Sequence, residues 1–190
     1  MITKQTLRTA INVALRNAGL NPSDFPNLPL RVLQSGAIKL DNVAPPKADA
    51  GYLEMVILGG SSNQGIRTSG NHVNVFALAA VVLSATSAQP TLPSFLGLLV
   101  ALLGACTVNL SPEQSAFFLA VKALEKQSTI PTASALAVSM GGFLNQPSYT
   151  TAALLSVVSQ LQSMGVQISV GEPPNQVIRH TEVSLSFPGS

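Results

Sequence analysis

Residues 68–112 contain no Asp, Glu, Lys or Arg, and that run limits the possible folds more than any other feature of the chain. Within it, Val73 to Leu110 reads as two apolar segments, VNVFALAAVVLSATSA and FLGLLVALLGACTVNL, separated by QPTLPS. Pro90 and Pro93 divide them, because proline has no amide hydrogen to donate and disfavours helix in the residue before it. The expected result is a helical hairpin, polar at its tip and apolar nearly all round. Such helices lie either inside protein or in lipid. A bilayer span needs about twenty apolar residues, and shorter runs are more often core helices. Neither segment ends in the Trp/Tyr and Lys/Arg anchors that mark membrane interfaces. Burial against protein is the expectation, with a membrane-inserting hairpin as the alternative.

The chain of 190 residues is long enough for one domain with a sizeable core, and residues 1–190 are read as one. Charged residues make up 9% of it, against about 25% in ordinary soluble domains. A free-standing domain normally keeps a charged skin, so this chain is expected to cover much of its surface with neighbours. A net charge of +2 does not by itself imply a polyanionic partner. The single cysteine, Cys106, excludes an internal disulfide and any multi-cysteine metal site. MITKQTLRTA has no apolar core behind it, so no secretory leader is read there. The expected location is the cytoplasm or a virion.

Thr3 to Ala18 is predicted to be a helix, with Leu7, Ile11, Ala14, Leu15 and Ala18 on one stripe. Thr3 caps it and Gly19 stops it. Lys4, Arg8 and Arg16 lie on its flank, either as a solvated edge or as a cationic face. Residues 1–51 combine this helix with a proline-marked arm. Short strands are expected near Leu30–Leu33 and Ala37–Leu40. Six of the ten basic residues precede residue 50, against three of the eight acids. Phosphate backbones need only such charges, without a motif. Lys4, Arg8, Arg16, Arg31, Lys39 and Arg67 are therefore the candidate nucleic-acid contacts. The competing expectation pairs them with Asp24, Asp41, Asp49 or Glu54 across subunit contacts.

Tyr52 to Leu58 reads as a strand. It runs into GGSSNQGIRTSG, where Gly60 and Gly65 have phosphate-loop spacing. Ile66 stands where the lysine belongs, however, and no acid lies between Glu54 and Glu113. A turn-rich loop is expected instead.

Ser111-Pro112-Glu113 predicts a helix start, with the helix running to about Lys126. A short helix follows from Pro131 to Met140, closed by Gly141-Gly142. Another runs from Pro147-Ser148 to Met164. VQISV and VIRHTEVSLSF, around the turn GEPPNQ, are expected to form a C-terminal β-hairpin. The fold class is thus mainly α (α+β): a helical core with an apolar helical hairpin, an early short strand and a C-terminal β-hairpin.

Three helices followed by a hairpin, over residues 112–187, resemble a winged helix-turn-helix. In that resemblance AALLSVVSQLQSMGVQI takes the place of the recognition helix and first wing strand. Reading the major groove requires polar side chains on base edges and basic support on phosphates. No charged residue lies between Lys126 and Glu172, so such a domain would serve protein contact.

Enzyme chemistry has few candidates. A nucleophile assisted by His72 or His180 would need Cys106 or a serine nearby, and Cys106 lies within the apolar run, where cysteine behaves as a small hydrophobe. No cofactor or metal is expected. The sequence is read as a self-assembling structural protein, such as a viral coat or nucleocapsid subunit. Its expected partners are copies of itself and, where a genome is enclosed, RNA or DNA held through non-specific backbone contacts. The alternatives are a winged-helix-like interaction adaptor and a small membrane-inserting protein.

Overall fold

The computed structural model describes residues 4–17, 19–39, 71–85, 91–106, 108–173, 176–181 and 184–187; the side chains of 4–7, 39, 71 and 184–187 fall outside that description. The architecture is mostly helical with small antiparallel sheets, as expected for the α+β class. The predicted strand Tyr52–Leu58 and the glycine-rich loop after it lie outside the described residues.

Helix α1 (Lys4–Asn17) buries Ile11 and Leu15 on its inner stripe. It closes at Gly19, whose φ of +72° turns the chain so that the Leu20 amide donates to the Leu15 carbonyl. A short 3-10 turn at Pro22–Asp24, capped by Asn21, leads into α2 (Leu28–Gln34). This corrects the strand expected at Leu30–Leu33. Pro29 falls in the first helical turn, where its missing amide costs nothing, and Leu28 and Val32 then share one buried side. Strand β1 (Ile38–Lys39) falls within the second expected strand.

Strand β2 (Asn71–Asn74) pairs antiparallel with β1 and precedes α3 (Val75–Ser84). The Asn74 side chain accepts from the Ala77 amide and starts the helix. The apolar run is therefore a strand followed by a hairpin. The second arm is α4 (Leu92–Ala105), with Pro93 in its first turn. At 10 and 14 residues, the two arms fall short of the roughly twenty that a membrane span needs. No helix among the described residues is long and apolar enough to cross a membrane.

Helix α5 (Pro112–Lys126) is the hub, packed against α3, α4 and two later helices, α6 (Ala133–Leu144) and α7 (Thr151–Ser163). Ser111 and Gln114 form a reciprocal capping box. Ser115 through Val121 are all buried, because neighbours surround the helix. Helix α6 passes through Gly141-Gly142 rather than stopping there. A Cβ on Gly141 would stand 2.6 Å from the Gln146 carbonyl oxygen, and one on Gly142 would stand 2.9 Å from Leu92 Cδ1. These glycines permit close approach, and the helix ends at Asn145 in the left-handed region.

Strands β3 (Ile168–Val170) and β4 (Ile178–His180) form the expected hairpin. A single bridge joins Thr132, between α5 and α6, to Val177 at the head of β4. The rest of the predicted second strand departs. Strand β5 (Ser184–Phe187) pairs with β2, in register Asn71 to Phe187, completing a sheet ordered β1-β2-β5. One contiguous hydrophobic cluster includes residues from Ile11 to Ile178.

Candidate interaction surfaces

Helices α4 and α6 are each two-sided. Leu98, Leu99, Leu102 and Leu103 of α4 point into the core, as do Leu136, Met140 and Phe143 of α6. Their outer sides carry Leu92, Pro93, Val100 and Gly104 on α4, and Ser134 and Val138 on α6. Leu92, at the start of α4, packs over Gly142 of α6, one helical turn beyond Val138. Val138 is 78% exposed and Leu92 47%. Neither helix contains an ionisable residue, and α7 likewise presents only Ala, Ser and Gln to solvent through Ala152, Ser156, Ser159, Gln160, Gln162 and Ser163.

The cationic residues are distributed differently. Arg8 and Arg16 are exposed on α1, Arg8 beside the stripe of buried Ile11 and Leu15 and Arg16 farther round the helix. Arg31 leaves that group: its Nη1 donates to the Ser84 carbonyl at 2.7 Å, at the end of α3. A cation there complements the exposed carbonyls of a helix C-terminus. Asp24, Phe25, Asn27, Arg31 and Ser84 line a cleft of about 370 Å³ at this junction. The side chains of Lys4 and Lys39, and the whole of Arg67, lie outside the described residues. The structure thus places Arg8 and Arg16 on one helix and Arg31 at a helix end.

A cluster that sequence reasoning missed surrounds His180. Its ring stacks on Phe76 with centroids 4.1 Å apart and planes 21° apart. Phe76 in turn meets Phe118 edge-on at 4.7 Å. Glu125 Oε2 receives Lys122 Nζ at 3.0 Å, and Glu125 Oε1 stands 3.5 Å from His180 Nε2. Lys122 Nζ also lies 5.6 Å from the Phe76 ring centroid, within cation–π range. The cluster ties β4 to α3 and α5. Only the Lys122–Glu125 spacing was readable locally.

A second cleft, about 340 Å³, is lined by Glu113, Gln146, Ser148, Tyr149 and Thr150. The Tyr149 hydroxyl is buried and makes no hydrogen bond among the described residues. Burial, with the Glu113 carboxylate as a lesser cause, raises the pKa of this phenol.

Cys106 caps α4 and is fully buried, the environment of a small hydrophobe. Burial pushes its thiol from an ordinary 9.0 up to about 12, away from the lowered values of reactive thiolates. A folded value above the unfolded one gives stability that is complete below pH 9 and is lost as pH rises toward 12. Urea midpoints of the wild type are therefore expected to fall across that window relative to Cys106→Ala. Parallel curves for the two proteins would contradict the assignment.

Comparison of the chain with known protein families, with curated proteins and with solved structures finds no significant match.

Proposed function

We propose that this chain is a self-assembling structural subunit, of the kind that packs into a viral coat or nucleocapsid shell or filament. The observation that carries this reading is the outer surface of α4, α6 and α7. It spans three helices without an ionisable side chain and leaves Val138 and Leu92 exposed. Domains that live alone in water keep charges of both signs on such surfaces. An assembled subunit covers them instead. Size-exclusion chromatography with negative-stain microscopy tests the reading. Uniform particles far above the 19.7 kDa of one chain are expected.

In an assembly that encloses a genome, Lys4, Arg8 and Arg16 are its first contacts, acting through phosphate charge with little sequence preference. Changing all three to Gln should give intact particles with a lowered 260/280 nm absorbance ratio. Loss of assembly in that variant would instead place these residues in ion pairs between subunits.

A second reading, a winged-helix-like interaction adaptor, draws support from the connectivity of residues 112–180. Helix α5, the Thr132–Val177 bridge, α6, α7 and the β3–β4 hairpin follow one another in the order that such domains use. Without basic residues on α7, its partner would be a protein. An adaptor predicts a monomer or dimer on the same column.

A further inference from the structure

We propose that His180 is a proton-operated latch: its protonation tightens the hold of α3 and α5 on the β3–β4 hairpin, and its deprotonation relaxes that hold. The latch goes beyond the assembly reading and does not depend on it.

His180 ends β4, where the chain leaves the β3–β4 hairpin for β5 in the other sheet. Its side chain is 10% exposed and lies on the same face of the strand as buried Ile178. Two helices hold the ring. Phe76 of α3 stacks against it, and the Glu125 carboxylate of α5 stands 3.5 Å from Nε2. Histidine ordinarily changes charge at about pH 6.5, so both contacts change character there. A neutral ring gains little from a carboxylate at 3.5 Å, which lies beyond the usual range of an N–H···O bond. An imidazolium gains an ion pair at that place. It also gains the attraction of a cation for the Phe76 face.

Two effects oppose protonation. Burial disfavours the charged ring, and Lys122 Nζ engages the same carboxylate at 3.0 Å. Lys122 takes Oε2, however, while His180 faces Oε1, and one carboxylate accepts from two donors at once. The other packed elements add no charge: neither α3 nor β3 contains an ionisable side chain. Arg179 alternates to the exposed face of β4, and Lys126 is exposed on α5. Glu182 lies outside the described residues. The ion pair and the aromatic contact therefore prevail. A folded state that binds the proton more tightly than the unfolded chain keeps that stabilisation below about pH 6.5 and loses it as pH rises through the folded midpoint. The hairpin is held most firmly in mild acid and loosens toward alkaline pH.

The test follows the His180 ring of the full chain by NMR from about pH 5 to about pH 9, across the range in which histidine titrates. His72→Gln assigns the two histidines, and hydrogen-exchange protection factors of the hairpin amides are measured over the same range. Glu125 is 38% exposed, so Glu125→Gln should fold normally. It should lower the His180 midpoint, weakening proton affinity by about threefold or more. His180→Gln should remove the pH dependence of hairpin protection. A midpoint that Glu125→Gln leaves in place overturns the proposal, as does one that follows Glu182→Gln instead. Hairpin protection that follows pH equally with and without His180 also overturns it. Should His180→Gln fail to fold, the midpoint of the Glu125→Gln protein decides.

Discussion

Leu99→Lys should abolish the folded state. Leu99 is completely buried in the middle of α4, among Leu98, Leu102 and Leu103 and facing the shared core. An ammonium group placed there loses its hydration and finds apolar neighbours in return. An unpaired buried charge costs several kcal/mol even after relaxation, against a total stability of about 5–15 kcal/mol for a typical domain. The expected result is insoluble protein, or soluble protein without a cooperative thermal transition. Leu99→Met, which nearly conserves volume, should cost less than about 1.5 kcal/mol. A soluble Leu99→Lys protein with a normal transition would show that α4 is not a core helix.

The second large effect belongs to Phe76. Its ring is fully buried, meets Phe118 edge-on and forms the platform for His180. Phe76→Ala removes the packing of α3 on α5 and leaves a cavity between them. Substitutions of this kind cost about 3–5 kcal/mol. In a chain of this length that corresponds to a fall in melting temperature of roughly 6–20 °C. Phe76→Leu keeps most of the volume and should lie between the variant and the wild type. A change of less than about 1 kcal/mol for the alanine variant would mean that the Phe76 cluster contributes little to the fold.

Features set by neighbouring residues were legible in the sequence. Ser111-Pro112-Glu113 specifies a helix start through a cap, a first-turn proline and an early acid, and α5 begins there. The inner stripe of α1 and the stop at Gly19 are equally local. The division of the apolar run into two helices was also legible, with Pro93 in the first turn of the second, where its missing amide costs nothing.

Features set by distant partners were not legible. LPLRVLQ suits a strand by composition, yet it is helical because Leu28 and Val32 find a core on one side. Gly141-Gly142 resembles a helix stop in isolation, and only Leu92, some fifty residues earlier, shows why small residues are needed within the helix. The second strand of the C-terminal hairpin reads as continuous. Its last part finds a better partner in β2, more than a hundred residues upstream.

The surfaces divide in the same way. Arg8 and Arg16 lie on the flank of a stripe that local spacing reveals, and both are exposed. The engagement of Arg31 with Ser84 crosses 53 positions and has no local signal. The neutrality of α4, α6 and α7 was plain in the composition. Their arrangement was not, since the approach of Leu92 to Gly142 depends on how two helices pack.

The most direct measurement of the central claim is the mass of the purified chain in detergent-free buffer, followed by sedimentation velocity over a hundredfold range of concentration. Self-assembly through a neutral surface predicts a species many times heavier than 19.7 kDa, its proportion growing with concentration and little altered by salt. A single 19.7 kDa species at every concentration would contradict it.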